Sequence, residues 1–222
     1  MPAAAAQIGS AAKTISRRYN PAMISGRLRR LRRAELPHDT VELACYLVGK
    51  TVLHDLPHAK LSGRIVETEA YPVGDAAGHA FSGETRRNRS LFLRRGHAYV
   101  YFTYGSSFML NVTSEKPGVG GGVLVRALEP LDGIELMKQS RGTSKVLDLT
   151  RGPGRLAQAM QIDSRFDGVD LCAAGPLWLG TAAVSVAEIC STTRIGITRE
   201  VERKLRFYEC GNAFVSGPKR LR

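Results

Sequence analysis

Five segments rich in β-branched and aromatic residues follow one another between residues 50 and 130. They read KTVLHDL, LSGRIVETEAY, HAYVYFTYG, SFMLNVTSE and GGVLVRALEP. Helical patterns occur before this run, in DTVELACYLVG, and after it, in LDGIELMKQS and GPGRLAQAMQI, and short strands such as PLWLG and KLRFYECG follow. Strands in a run with helices segregated at its ends predict an α+β fold, and 222 residues suffice for one domain with a largely antiparallel sheet.

Helix-end signals support these assignments. Asp39 precedes the first helical pattern as an N-cap candidate, and Gly49 ends it. Pro153 lies where the first turn of the last helix would begin, the helical position that proline tolerates best. We therefore expect helices that begin close to Thr40 and Pro153.

The net charge of +12 is concentrated near the N-terminus. Eight of the 32 Lys and Arg residues precede Glu35 and no acid does, so 24 basic and 20 acidic residues remain for the rest. We expect residues 1–34 to be a basic, disordered extension and residues 35–222 to be the folded domain. The extension has three open explanations: an arm that attracts phosphates, an organellar transit peptide, or a start site placed too early, with Met23 as the true beginning.

Two absences narrow the class of protein. No apolar run reaches the roughly 18 residues of a membrane helix, so we expect no membrane partner and an intracellular location, in a bacterial cytoplasm or nucleoid or in a nucleus. His54 and His58 flank a proline and lack further converging ligands, so we expect no metal site.

The four cysteines form no C-x-x-C pair and are expected to be reduced thiols. These cysteines are Cys45, Cys172, Cys190 and Cys210.

The segment GRIVETEAY, residues 63–71, carries two carboxylates in an otherwise basic protein. Regular alternation would place Ile65, Glu67, Glu69 and Tyr71 on one face of a strand, and Val66, Thr68 and Ala70 on the other. The strand leads into a loop rich in Gly and Arg, residues 72–91, and loops of this length are commonly functional. Solvated surface is the usual location of Glu, but a carboxylate at a strand end could also act as a general base.

Three tyrosines, Tyr99, Tyr101 and Tyr104, lie within AYVYFTYG. A regular strand directs the first two to one face and Tyr104 to the other. Core aromatics with satisfied hydroxyls are the common explanation, but rings that precede a turn also suit base stacking and insertion into DNA.

Basic residues supply the remaining candidates. Arg126 interrupts the apolar strand VLVRALEP and could equally face outward or serve a site. The loop segment RRNRS offers weak candidates for phosphate contacts, namely Arg87, Asn88 and Arg89.

Taken together, these segments closely resemble the alkylpurine (3-methyladenine) DNA glycosylase family of the mammalian type. The resemblance covers roughly residues 40–216 and rests on seven motifs in order: GRIVETEAY, AAGHA, RRNRSLF, AYVYFTYG, MLNVTS, VLVRALEPLDG and GPGRLAQAM. It implies a single domain with a curved, largely antiparallel sheet and peripheral helices, similar to the C-terminal domain of formyltransferases, and a monomer.

The resemblance also implies a role for each matching residue. Glu69, the second glutamate of E-T-E-A-Y, would deprotonate the attacking water, which Arg126 would help to hold. Tyr71 and Tyr101 would stack on the two faces of a flipped base. His79 would close the same pocket and contact the backbone near the water, although the usual A-A-H-S motif of the family reads A-G-H-A here.

Two further residues match positions that act on the duplex and on the base. Tyr104 would fill the gap that a flipped base leaves in duplex DNA, and Asn111 would sterically restrict exocyclic amino groups. Ser106 stands where the mammalian sequences have methionine, so that groove contact would differ.

The chemistry implied is that of a monofunctional DNA glycosylase in base excision repair. Its partner would be duplex DNA that contains alkylated or deaminated purines of the 3-methyladenine, 7-methylguanine or hypoxanthine type, and no cofactor or Schiff-base lysine is implied. Arg126 would keep Glu69 ionised. The alternatives are a non-catalytic nucleic-acid-binding module on the same fold, a nuclease, for which clustered metal ligands are lacking, and an enzyme that excises bases from RNA.

Overall fold

The computed structural model describes residues 28–103, 105–182, 185–186 and 188–218, and these residues form one α+β domain. Its helices are α1 (Thr40–Leu47), α2 (Ile134–Arg141) and α3 (Pro153–Ala159). Its strands are β1 (Thr51–Leu56), β2 (Ala59–Tyr71), β3 (Ala98–Thr103), β4 (Ser107–Thr113), β5 (Gly122–Asp132), β6 (Leu177–Gly180), β7 (Ile189–Thr192) and β8 (Arg206–Glu209). The predicted fold class and the order of the main elements are therefore confirmed; β7 is a strand that the sequence patterns did not predict.

The strands form one curled antiparallel sheet. Its main path runs β3-β4-β5-β2-β1-β6, while β8 joins β2 and β7 joins β8. The edge of β2 opposite β5 is shared by two partners: β1 pairs with its first half, and β8 pairs with Glu67–Glu69. The last residues of β2 are therefore enclosed by β5 and β8, which is where the predicted carboxylates lie.

Local sequence accounts for the two helices that were assigned from capping signals. The side chain of Asp39 accepts hydrogen bonds from the backbone N–H groups of Val41 and Glu42, so it caps α1 as predicted. Pro153 is the first residue of α3, also as predicted. The apolar faces of α1 and α3 pack against β2 and β4 respectively, and the main core lies between the helices and the sheet.

The predicted alternation along β2 is only partly correct. Ile65 and Ala70 belong to the main core, whereas Val66 packs in a second cluster with Ala127 and Tyr208. The pairing with β5 is irregular between Ile65 and Glu67, so one extra residue of β2 enters the ladder and reverses the faces there. Ile65 therefore does not share the face of Glu67, and Val66 does not share the face of Ala70.

The predicted boundary of the N-terminal extension lies too far along the chain. Leu31 is buried, its N–H donates to the carbonyl of Leu179, and Arg30 forms an isolated β-bridge with Gly180. Arg33 forms an ion pair with Asp170. Residues 28–34 are thus part of the folded domain, while residues 1–27 lie outside the described part. Within that part, no helix is long and apolar enough to cross a membrane.

The expectation of four reduced cysteines is wrong for two of them. Cys190 of β7 and Cys210, which follows β8, form a disulfide with a Cα–Cα distance of 5.4 Å across 20 positions of sequence. Antiparallel pairing of the two strands brings the thiols together, and a pairing of this kind leaves no C-x-x-C mark in the sequence. Cys45 and Cys172 are free thiols, and burial raises the pKa of both.

Candidate active site

A cavity of about 330 Å³ opens where the C-terminal end of β2 meets β3, β4 and β5. Tyr99 lines it, and so do five of the residues to which the resemblance gives a role: Tyr71, His79, Tyr101, Asn111 and Arg126. Backbone and apolar side chains complete the wall, among them Leu91, Met109, Gly122, Leu124, Pro153 and Ile195. The volume falls in the range of small-molecule sites, and its lining combines aromatic surface with a few polar groups.

Glu69 lies directly behind this wall. Its Oε1 accepts a hydrogen bond from the backbone N–H of Ile195 at 2.8 Å and lies 3.3 Å from Nη1 of Arg126. Its Oε2 accepts one from the hydroxyl of Tyr71 at 2.9 Å. The carboxylate has no exposed surface, although all three of its partners line the cavity. Glu69 is therefore held against the cavity without opening into it in this state.

The pKa of Glu69 is raised above its ordinary value. Burial is the main cause, and it outweighs the Arg126 guanidinium, the Ile195 N–H and the Tyr71 hydroxyl, each of which stabilises the charged form. The contact with Arg126 agrees with the sequence-based expectation, but the net direction is opposite to the one that Arg126 alone would give. A carboxylate with a raised pKa is better suited to accept a proton near neutral pH than an ordinary surface Glu.

Arg126 reaches Glu69 because of a second irregularity between β2 and β5. The pairing steps from Glu67–Ala127 to Thr68–Val125, so Arg126 has no direct partner in the ladder. Its Nε contacts Oε1 of Glu67 at 3.1 Å while Nη1 turns to Glu69. Burial alone would lower the pKa of Arg126, but the two carboxylates raise it above its ordinary value. The arginine therefore remains a cation between two acids.

Glu67 is fully buried and saturated with donors. Besides Arg126, it accepts hydrogen bonds from Nε of Arg206 at 2.6 Å, and from the N–H and hydroxyl of Ser216 at 2.7 Å and 2.9 Å. It does not line the cavity. Through these contacts Glu67 orients Arg126.

An aromatic cluster forms the opposite side of the cavity. Tyr99 and Tyr101 share one face of β3, as predicted, with ring centroids 5.2 Å apart and an interplanar angle of 30°. The His79 ring meets Tyr101 edge-on at 4.5 Å, and its Nδ1 lies 2.9 Å from the Tyr99 hydroxyl. The pKa of His79 is lowered by burial of the ring and by nearby Arg87, which favours the neutral imidazole. Tyr104, the predicted wedge, lies outside the described residues.

The floor of the cavity consists of β4 and β5. The side-chain amide of Asn111 donates to the backbone carbonyl of Tyr99 at 3.1 Å, which fixes its orientation. Gly122 pairs with Thr113 across the sheet, and a Cβ at Gly122 would lie 2.9 Å from Cδ1 of Leu91 and 3.2 Å from the carbonyl of Val112. A larger residue at position 122 would therefore displace Leu91, which lines the cavity.

In the loop before β3, one of the three residues predicted to contact phosphate is buried. Asn88 is buried; its Nδ2 donates to the carbonyls of His79 and Gly83, and its Oδ1 accepts from the N–H and hydroxyl of Thr85. These contacts use both ends of the amide, so Asn88 shapes the loop that carries His79 and is not a phosphate contact. Arg87 and Arg89 are exposed on this loop and remain candidates for phosphate contacts.

Three contributors to the site were missed in the sequence. The backbone N–H of Ile195 carries no sequence mark, because any residue except proline provides it. Asp75 and Arg194 form a fully buried ion pair at 2.6 Å, and the Arg194 guanidinium lies 4.6 Å from the centre of the Tyr71 ring. A separation of 119 positions hides this pair from any local pattern.

Comparisons with known proteins agree with this geometry. The family model described as methylpurine-DNA glycosylase (MPG) matches residues 34–213. A protein of Mesorhizobium japonicum named "Putative 3-methyladenine DNA glycosylase" is 64% identical over 189 residues, which cover 85% of this chain and 91% of that protein. Proteins of the same name from Paraburkholderia phytofirmans and Methanoculleus marisnigri are 52% and 44% identical, covering 86% and 80% of this chain and 90% and 94% of their own lengths. The chain therefore belongs to the methylpurine-DNA glycosylase family and is a DNA glycosylase.

Proposed function

We propose that this protein is a monofunctional DNA-3-methyladenine glycosylase that hydrolyses the N-glycosidic bond of damaged purines flipped out of duplex DNA. The substrates are alkylated and deaminated purines of the 3-methyladenine, 7-methylguanine and hypoxanthine type. The products are the released base and an abasic site in an intact strand, the first step of base excision repair. The observation that carries the proposal is a buried carboxylate with a raised pKa, Glu69, set against an aromatic cavity and beside a guanidinium.

Glu69 acts as the general base through Oε2. Each carboxylate oxygen accepts about two hydrogen bonds, and Oε1 already has the Ile195 N–H and Arg126 as partners. Oε2 accepts a hydrogen bond from the Tyr71 hydroxyl, at the side of the cavity. A water that enters with the substrate binds this oxygen beside or in place of the hydroxyl, and Arg126 holds it from the cavity wall. Such rearrangement between the unbound and bound states is common for catalytic hydrogen bonds.

The aromatic lining supports recognition of an extruded base. A base inside a duplex is inaccessible to Glu69, so it must be flipped out, and Tyr104 fills the gap that it leaves. Tyr71 and Tyr101 then stack on its faces, and an alkylated, positively charged base gains roughly 0.5–2 kcal/mol from the electron-rich rings. Asn111 restricts exocyclic amino groups from the floor, and His79 closes the side of the pocket.

The bond breaks with positive charge developing on the sugar, as in glycoside hydrolysis. The Glu69 carboxylate stabilises this charge and takes a proton from the attacking water, whose oxygen forms the new bond to the sugar. A cationic base then leaves with the bonding electron pair as a neutral molecule. No lysine is among the cavity-lining residues in the described part of the chain, which supports direct hydrolysis without a Schiff base.

Single-turnover base release tests the proposal. The substrate is a duplex with one hypoxanthine or one alkylated adenine, and wild type is compared with Glu69→Gln. General-base catalysis contributes roughly 10²- to 10⁴-fold, so the variant should bind the duplex and release base slower by about that factor. Glu67→Gln is the matched control, since it neutralises a neighbouring buried carboxylate that does not line the cavity; its loss should be at least tenfold smaller.

Each contrary outcome has a definite meaning. Binding by wild type without release of any base would favour the non-catalytic module. Full activity of Glu69→Gln would move the catalytic role to another residue.

A further inference from the structure

Behind Tyr71, on the side away from the cavity, lies a buried charge pair that the proposed mechanism does not use. The side chains of Asp75 and Arg194 have no exposed surface. Nη1 of Arg194 contacts Oδ2 of Asp75 at 2.6 Å and Nη2 contacts Oδ1 at 3.1 Å, while Nη1 also donates to the carbonyl of Ala70 at 3.0 Å. The pair is bidentate and tied to the strand end that presents Tyr71.

The guanidinium covers one face of the tyrosine ring. Its central carbon is 4.6 Å from the ring centre of Tyr71, and Arg194 is not among the residues that line the cavity, whereas Tyr71 is. A base that stacks on Tyr71 must therefore use the opposite face. The ring would then lie between the fixed guanidinium and the base.

This arrangement matters when the base is itself a cation. Without Asp75, the Arg194 charge would lie roughly 8 Å from the base, which is the 4.6 Å to the ring plus a stacking distance of about 3.5 Å. At the effective dielectric constant of a protein site, two like charges at that distance weaken binding roughly 30-fold. A neutral base would not experience this repulsion.

Other charges near the pair do not remove the need for Asp75. Arg203 lies 3.6 Å from Oδ2 of Asp75, but its side chain is 43% exposed and also contacts Glu200 at 3.8 Å. On the cavity side, Glu67 and Glu69 are matched by Arg126 and Arg206. Asp75 is therefore the buried carboxylate that balances the charge behind Tyr71.

We propose that Asp75 is a specificity-determining residue: by neutralising Arg194 behind Tyr71, it lets the other face of that ring accept a positively charged alkylpurine. The inference rests on the proposed function and deepens it. The charge carried by the bound nucleotide, base and sugar together, stays at +1 for an alkylated purine and at zero for hypoxanthine until the base departs. The pair therefore sets the ratio between the two substrates, not the overall rate.

Asp75→Asn is the direct test. Oδ1 also accepts the backbone N–H of Ala77 at 2.9 Å, and the asparagine oxygen can keep this contact and the one to Nη2 of Arg194. The contact that holds the loop at Ala77 is thus retained, while the charge and the acceptor for Nη1 of Arg194 are removed. The quantity measured is the single-turnover rate constant of base release at sub-saturating enzyme, for duplexes with 7-methylguanine and with hypoxanthine. The ratio of the first to the second should fall, by up to roughly 30-fold in the limit in which Asp75 fully neutralises Arg194 in wild type.

Two companion variants separate charge from structure. Arg194→Met leaves the Asp75 anion behind the ring and should shift the ratio the other way, toward the cationic base. The double variant Asp75→Asn/Arg194→Met removes both charges and should return the ratio to within a fewfold of wild type. If Asp75→Asn does not fold, the sign of the change in Arg194→Met decides.

Equal losses for both substrates in the single variants would overturn the proposal and leave the pair a structural support. A ratio that stays low in the double variant would also overturn it. If wild type releases neither base, the proposed function fails and this inference fails with it, a result distinct from an active enzyme with an unchanged ratio.

Discussion

Replacing Arg126 with methionine tests the electrostatics of the site most directly. The guanidinium lies 3.1 Å from Glu67 and 3.3 Å from Glu69, and the side chains of both acids are fully buried. Glu67 keeps Arg206 and Ser216 as partners in the variant, so the unpaired charge falls on Glu69. Breaking a buried ion pair by removal of one partner costs about 3–5 kcal/mol, and the donors left on Glu69 place the expected loss near 3 kcal/mol.

The loss should depend on pH with a definite sign. The folded-state pKa of Glu69 already lies above its ordinary value, and removal of the neighbouring cation raises it further. A folded protein that binds the proton more tightly than the unfolded chain loses stability as pH rises from the unfolded to the folded pKa. The deficit of Arg126→Met relative to wild type should therefore be small in acid and reach about 3 kcal/mol above the folded pKa of Glu69.

Denaturant unfolding and single-turnover release of an alkylated purine, both measured from about pH 5 to about pH 8, check this prediction. In the proposed mechanism release requires ionised Glu69, so the acid limb of the rate profile should move to higher pH in the variant. Arg206→Met is the matched control, because it removes an equally buried guanidinium from Glu67; it should cost comparable stability without moving that limb. A deficit of equal size at every pH, or an unmoved acid limb, would refute the assigned role of Arg126.

Two further predictions concern the hydrogen bond from Tyr71 to Glu69 and the Cys190–Cys210 disulfide. Tyr71→Phe removes a hydrogen bond to the Glu69 carboxylate worth about 1.5–3 kcal/mol. Base release on the acid limb of the rate profile should therefore fall at least about tenfold, while the high-pH plateau changes little. A uniform loss at all pH values would instead indicate damaged stacking. Replacement of Cys190 and Cys210 by alanine opens a loop of 20 positions, which should lower stability by about 3 kcal/mol and Tm by about 6–12 °C in thermal unfolding. Reductant should lower the Tm of wild type by the same amount and leave the Tm of the variant unchanged.

Local sequence signals predicted the parts of the fold that depend on local physics. Capping by Asp39, the first-turn Pro153 and the β-branched run of β2 each act within a few residues, and the structure has them where the patterns placed them. The face shared by Glu67 and Glu69 was also predicted. The extra residue of β2 lies before Glu67, so regular alternation still holds between Glu67 and Glu69.

The remaining features depend on contacts between distant segments. The irregularity at Val66 that reverses the faces of β2, and the one that directs Arg126 toward two acids, arise from the pairing of β2 with β5. The Cys190–Cys210 disulfide depends on the pairing of β7 with β8. Asn88 could be recognised as a loop residue only once the carbonyls that it binds were in place. None of these contacts leaves a periodic mark in the sequence.

The two glutamates of a basic protein can now be understood together. In the proposed mechanism, burial strengthens the electrostatic stabilisation of the sugar but penalises the carboxylate that provides it, and this penalty raises the pKa of Glu69. Arg126 limits this penalty, yet a buried arginine would itself be unstable without a second acid, and Glu67 supplies that acid while Arg206 balances it in turn. The proposed catalytic carboxylate therefore requires the whole set of alternating charges. The same rule operates behind Tyr71, where Asp75 offsets Arg194. The excess positive charge of the chain therefore stays outside the pocket that we propose for a cationic base.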